Sequence, residues 1–151
     1  MYVIAVGRPR GPLADAAAEY ERRAERYWAL EAVEVREERA RSLPAEQVVV
    51  REGERLAARV PAAATLVACD ERGEAWASER FAGWLVAQRD AARDVAFVIG
   101  GAHGLAPALW ERAAVRLALA PWTMPHDLAR VVLAEQLYRA GTLARGEPYH
   151  K

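Results

Sequence analysis

Apolar residues follow two alternating patterns along the chain. Short continuous runs, such as DVAFVIG at 94–100, are typical of strands that are buried on both faces of a sheet. Between these runs, apolar positions recur at helical spacing, as at Leu13, Ala17, Tyr20 and Ala24. The runs predict strands over 2–6, 30–35, 64–70, 94–100 and 115–120. The periodic stretches predict helices over 13–28, 44–59, 78–92 and 127–143, and a short helix that begins at Pro107.

Strands that alternate with helices predict an α/β fold, with a largely parallel sheet and helices on both faces. The 151 residues suit one domain, 1–151, and no repeat or linker divides them. Ser78 is predicted to cap the helix that follows it. Loops are predicted over the charged stretch 36–44, over ERGEAW at 71–76 and over PWTMPH at 121–126.

The last predicted helix, 127–143, is apolar nearly all the way round. Leu133 and Leu137 fall on one side, while Leu128 and Val132 fall near the opposite side. Such a helix must be covered nearly all round. A homodimer interface would supply that cover, and the alternative is a groove within the same chain. We predict the dimer.

Composition and charge narrow the class of protein. The 21 basic and 21 acidic residues give a net charge of zero, which argues against a broad electrostatic surface for nucleic acid. The single cysteine, Cys69, excludes an internal disulfide and is better interpreted as a small buried thiol than as a nucleophile. No apolar run approaches the roughly 18 residues of a membrane span. A soluble cytoplasmic protein is predicted.

Three predicted strands end in segments with the composition of a ligand site: Cys69-Asp70, Gly100-Gly101 and Ala120-Pro121. Ligands of α/β sheets collect beyond the carboxyl ends of strands, so these segments converge if the strands are neighbours. The glycine-rich elbow IGGAHGL lacks the lysine and hydroxyl of a P-loop and is not G-x-G-x-x-G. No cysteine and histidine cluster has metal-ligand spacing, so no metal is predicted. By itself the elbow fits a plain turn, a phosphate cradle or one wall of a cofactor pocket.

Three ordered segments carry a resemblance to a known family: FVIGGAHGL at 97–105, TMPHDLARVVLAEQLYRA at 123–140 and the terminal PYHK. Together with VIAVGR, REGERL and DERGEAWASERFA, they cover nearly the whole chain. The sequence resembles the bacterial ribosomal RNA large subunit methyltransferase H family, within the SPOUT superfamily of knotted methyltransferases.

This resemblance implies a fold, a reaction and a cofactor. The family uses S-adenosylmethionine to methylate N3 of a pseudouridine in a stem-loop of large-subunit ribosomal RNA on assembled ribosomes. The implied fold is a homodimer whose C-terminal part forms a deep trefoil knot around the cofactor. By position, the implied cofactor pocket consists of Cys69, Gly101, Ala120, Pro121, Trp122, Thr123, Met124 and Pro125. Gly100 and Gly104 are added to it as residues that determine the shape of the pocket. Many relatives have a serine where Ala120 stands, so a contact there comes from the backbone.

The implied reaction also requires removal of a proton from the acceptor nitrogen. In the resembling family the tail reaches the partner's pocket, so Tyr149 and His150 are expected to complete the neighbouring site. His126 is an alternative base, or else an N-cap of the last helix. Arg130 is expected to contact either phosphate or the pseudouridine, or to be structural, whereas Glu135 and Arg139 have the spacing of a helical ion pair. His103 inherits no role and is interpreted as a solvent-facing residue.

Two other functions stay open from the sequence. One is a knotted dimer that binds RNA or ribosomes without catalysis. The other is a generic nucleotide-binding α/β module in which the elbow holds phosphate.

Overall fold

The computed structural model describes residues 1–38 and 43–150, except the side chain of His150. In this part of the chain strands and helices alternate, as the apolar pattern predicts. The strands are β1 (Tyr2–Val6), β2 (Glu31–Val35), β3 (Thr65–Ala75), β4 (Val95–Ile99) and β5 (Val115–Ala118). The helices are α1 (Pro12–Ala24), α2 (Ala45–Ala57), α3 (Ser78–Asp90), α4 (Pro107–Arg112) and α5 (His126–Ala144), and a 3₁₀ turn follows at Pro148–His150.

The five strands form one parallel sheet in the order β2-β1-β4-β3-β5. The predicted parallel α/β fold is therefore confirmed. β4 lies at the centre and is buried along its whole length, which explains its continuous apolar run. Successive side chains of a strand point to opposite faces, so Phe97 belongs to one core and Val98 to the other.

Helices cover both faces of the sheet. The first core joins the strands to α1, α3 and α5 through residues such as Ala24, Leu85 and Leu133. The second core joins them to α2 and α4 through Leu56 and Leu109.

Strand β3 is longer than predicted, because the stretch 71–76 is not simply a loop. Cys69 pairs with Leu117, the chain then bulges, and Glu74 pairs with the same Leu117. Gly73 makes this return possible, since a Cβ there would lie 2.7 Å from the backbone carbonyl of Arg116. The residues between Cys69 and Glu74 are thus pushed out of the ladder at the carboxyl edge of the sheet.

Several helix boundaries differ from the predicted ones for local reasons. α3 ends at Asp90 because Ala92 adopts a left-handed φ of 52°. Ser78 is not the cap of α3 but its first residue, and its hydroxyl lies 2.8 Å from the Gln136 side-chain oxygen on α5.

Helix α1 ends at Ala24 rather than at 28. The residues after it form a turn, in which the Tyr27 N–H donates to the Ala24 carbonyl. The predicted loop 36–44 falls partly on residues outside those described.

Helix α5 is largely covered within its own chain. It packs against α1 and α3, and Trp28 donates a hydrogen bond from its indole nitrogen to the Leu137 carbonyl at 2.8 Å. A side chain at Gly141 would overlap the ring of Tyr27, so α5 closely approaches the turn that follows α1. Leu128 remains 38% exposed at the first turns of α5. The chain thus supplies much of the cover that the apolar pattern requires, and the dimer stays a prediction.

Within the described residues, no helix has the length and apolar character needed to span a bilayer.

Candidate active site

The loops that follow β3, β4 and β5 meet around one cavity of about 840 Å³. These strands are neighbours in the sheet, so their carboxyl ends lie side by side. Most residues of the expected cofactor pocket line the cavity: Cys69, Gly100, Gly101, Gly104, Ala120, Trp122, Thr123, Met124 and Pro125. Pro121 is exposed and is not among the lining residues.

The glycine elbow folds back tightly on itself. The Gly104 N–H donates to the Gly101 carbonyl at 3.0 Å, and Gly104 has a φ of +83° that favours glycine. A Cβ at Gly100 would lie only 2.5 Å from the Gly104 carbonyl oxygen. The elbow is therefore both a turn and a wall of the cavity, with its backbone presented to the interior.

The proline loop forms another wall of the cavity and carries the most exposed large aromatic residue of the site. Trp122 is 68% exposed, whereas Met124 is half-buried and packs against the first core. Leu119 also lines the cavity, so this wall is mostly apolar. A cavity lined by both apolar side chains and glycine backbone suits a ligand with a planar ring and hydrogen-bonding groups.

The bulge of β3 adds charged residues that were not among the residues expected to bind the cofactor. Asp70, Glu71 and Arg72 line the cavity. The Asp70 carboxylate accepts hydrogen bonds from the Arg72 backbone N–H at 3.0 Å and from its guanidinium at 2.8 and 2.9 Å. The Arg72 side chain thereby holds the pKa of Asp70 below its usual value, so Asp70 stays ionised. The available signal was an acid directly after a buried strand, followed two residues later by a base.

Cys69 forms part of the floor of the cavity as a neutral thiol. Burial raises its pKa to about 12, and the neighbouring charge of Asp70 adds to the shift. A thiol with this pKa is a poor nucleophile near neutral pH. The structure thus agrees with a small buried thiol.

Two histidines line the cavity from different loops. His126 is the first residue of α5, with Pro125 as the N-cap, so the alternative role of His126 as the N-cap is wrong. The Nε2 atom of His126 lies 3.2 Å from Oδ1 of Asp127. His103 is exposed on the glycine elbow, as expected, but it also borders the cavity.

Arg130 lies away from the cavity. It is only 6% exposed, and its guanidinium is bonded to the Glu21 carboxylate of α1 at 2.7 and 3.2 Å. A third bond, at 2.9 Å, reaches Glu34 at the edge strand β2. These bonds link α5, α1 and β2, so a contact of Arg130 with RNA does not follow from the structure.

The C-terminal turn lies on α5 rather than in the cavity of its own chain. The Tyr149 hydroxyl donates to Glu135 at 3.2 Å, and its ring centroid lies 4.5 Å from that of Tyr138. Burial raises the pKa of Tyr149, with further contributions from neighbouring groups. Glu135 also pairs with Arg139 at 2.6 Å, as the spacing predicts. The side chain of His150 lies outside the described residues.

Metal ligation has no support in the described part of the chain. No group of three or more histidine, cysteine, aspartate or glutamate side chains is placed to hold an ion there.

Comparison with known proteins identifies the family. The family described as "Predicted SPOUT methyltransferase" matches residues 1–150. A ribosomal RNA large subunit methyltransferase H from Gemmatimonas aurantiaca is 61% identical over 150 residues, which cover 99% of this chain and 97% of that protein. This chain belongs to the ribosomal RNA large subunit methyltransferase H family. Another member, from an Anaeromyxobacter species, is 48% identical over 150 residues with the same coverage. The resemblance carried by the three ordered segments is confirmed.

Two solved structures share the fold of this chain. A probable methyltransferase from Bordetella pertussis matches with a TM-score of 0.54 at 17% identity, covering 92% of this chain and 93% of its own. A probable methylase family protein from Haemophilus influenzae has a TM-score of 0.51 at 14% identity, covering 99% and 70%. At these identities the likeness shows the fold alone.

Proposed function

We propose that this protein is an S-adenosylmethionine-dependent methyltransferase that acts on N3 of a pseudouridine in large-subunit ribosomal RNA. The observation that carries the proposal is the cavity at which three adjacent strand ends meet, in a chain that belongs to the methyltransferase H family. Under this proposal the protein works in the bacterial cytoplasm on the assembled ribosome.

The cavity fits the proposed cofactor. Its volume of about 840 Å³ lies within the range of small-molecule and cofactor sites. The backbone of Gly100 and Gly101 supplies hydrogen-bonding groups, and Leu119 and Met124 supply an apolar wall. When bound, S-adenosylmethionine supplies an electrophilic methyl group on a sulfonium. The role of the loops is to fix the cofactor so that the methyl group faces the acceptor nitrogen. We assign the contacts with the cofactor to the loop residues that line the cavity. Pro121 has only a role in shaping its loop.

The acceptor nitrogen bears a proton that must leave before or during methyl transfer. We propose that His150 accepts this proton in the site of a partner subunit, in a knotted homodimer, and that Tyr149 completes that site. Tyr149 lies outside the cavity of its own chain, which supports a role in the site of another chain. His126, which lines the cavity of its own chain, is the alternative base. Arg130 has no catalytic role in this proposal.

The deciding experiment uses purified protein, labelled S-adenosylmethionine and ribosomes that lack the modification. We expect label on large-subunit RNA, at N3 of a pseudouridine, and much less label on free RNA. Free RNA is a poor substrate because a chain of zero net charge depends on the shape of the ribosome for recognition. Absence of label on ribosomal RNA would overturn the proposal.

Calorimetry separates the two other functions. A knotted dimer without catalytic activity binds ribosomes but gives no heat with S-adenosylmethionine, and a nucleotide-binding module gives heat with ATP. We expect heat with S-adenosylmethionine alone.

A further inference from the structure

Glu52 is a buried carboxylate that the proposed mechanism does not use. It lies within α2, in the segment REGERL, and is only 2% exposed. One of its oxygens, Oε1, accepts the backbone N–H of Glu38 at 2.9 Å. The other oxygen, Oε2, has no hydrogen-bond partner within the described residues. An unpaired buried carboxylate oxygen destabilises the fold, so its presence requires an explanation.

The unpaired oxygen faces the glycine elbow. A Cβ on Gly101 would lie 2.5 Å from Oε2 of Glu52 and 3.1 Å from Cγ1 of Val6. At the next residue of α2, a Cβ on Gly53 would overlap the side chain of Ala106, just beyond the elbow. Helix α2 therefore contacts the elbow and the segment behind it at two consecutive positions.

Among residues 1–38 and 43–150, no neighbouring cation pairs with Oε2. Arg55, one turn further along α2, donates instead to the Arg36 carbonyl at 2.9 Å and to the Glu38 carboxylate. Glu52 thus links two segments: Oε1 holds the chain after β2, while Oε2 lies against the back of the cavity wall.

We infer that Glu52 is a positioning residue of the cofactor site, and this inference rests on the proposed function. Its Oε2 atom is the acceptor for a backbone N–H of the glycine elbow when the cofactor fills the cavity. The elbow then gains a charge-assisted hydrogen bond. This role in cofactor binding explains why the fold retains a buried acceptor that lowers its stability.

The test compares Glu52→Gln with Glu54→Gln, a matched change at an exposed position of the same helix. In Glu52→Gln the amide oxygen keeps the Glu38 bond, which directs the NH₂ group toward the elbow. That group cannot accept a hydrogen bond. We expect S-adenosylmethionine to bind about tenfold more weakly to this variant by calorimetry. We also expect its melting temperature without cofactor to be equal to or higher than that of the wild type, because a buried charge has been removed.

A purely structural role predicts the opposite pattern, in which the melting temperature falls and affinity is unchanged. Either unchanged affinity or a lower melting temperature in Glu52→Gln would overturn the inference. As a second readout, cofactor should slow amide hydrogen exchange over 100–104 in the wild type and in Glu54→Gln, and much less in Glu52→Gln. If the wild type itself does not bind S-adenosylmethionine, the proposed function fails as well. Normal binding by Glu52→Gln refutes the role of Glu52 alone.

Discussion

At Gly100 the addition of one methyl group is enough to deform the site. A Cβ there would meet the Gly104 carbonyl at 2.5 Å, and both partners are backbone, so neither can rotate away. We expect Gly100→Ala to lower the free energy of unfolding by about 2 kcal/mol and to weaken S-adenosylmethionine binding more than tenfold. Urea unfolding and calorimetry measure the two effects.

The control for this change is Gly83→Ala. Gly83 lies in the exposed face of α3, and a Cβ there meets nothing within 4 Å. Alanine at this position should raise the free energy of unfolding by about 0.5–1 kcal/mol and leave cofactor binding unchanged. If Gly100→Ala behaves like Gly83→Ala, the tight elbow described above is wrong.

The burial of Cys69 makes the free energy of unfolding depend on pH, and the contribution of this one residue can be measured separately. Its pKa rises from 9.0 to about 12 on folding, so the folded protein retains a proton that the unfolded chain releases. The contribution of Cys69 is thus fully present below about pH 9 and is lost as the pH rises toward 12. Between about pH 9 and pH 12, the free energy of unfolding measured in urea should fall with rising pH. The fall should be steeper for the wild type than for Cys69→Ala, by about 1.4 kcal/mol per pH unit. Equal slopes for the two proteins would mean that the thiol is not buried as described.

At the scale of elements, the bonds of Arg130 hold α5 to α1 and to the edge of the sheet. Arg130→Met leaves the buried Glu21 carboxylate unpaired and should cost about 3–5 kcal/mol of unfolding free energy. Adding Glu21→Met should recover most of that loss, because two apolar side chains replace a buried ion pair. Cofactor affinity should change little in either variant. A variant of normal stability with a raised KM for ribosomes would instead indicate an RNA contact.

The elements also show which features the sequence could predict. Continuous apolar runs predicted the parallel strands, because a strand buried on both faces has no polar side. The bulge of β3 escaped prediction, because DERGEA looks like a polar loop until Glu74 pairs with Leu117. The position of the cavity could be predicted, because it lies at strand ends that can be read from the sequence. The contact between Glu52 and Gly101 could not, because it joins residues far apart in the chain. Periodicity contains no information about such contacts.

At the scale of the whole molecule, the proposed dimer divides each site between two chains, and this division can be tested by mixing. Gly100→Ala impairs the pocket of its own chain, while Tyr149→Phe with His150→Ala impairs only the tail. Each variant alone should be nearly inactive on ribosomes. After subunit exchange, about half of the dimers are mixed, and each mixed dimer has one intact pocket facing one intact tail. Activity should then return to about a quarter of the wild-type value, since only one site in a mixed dimer is whole. If the mixture stays inactive although exchange is complete, the tail acts within its own chain and the shared site is wrong.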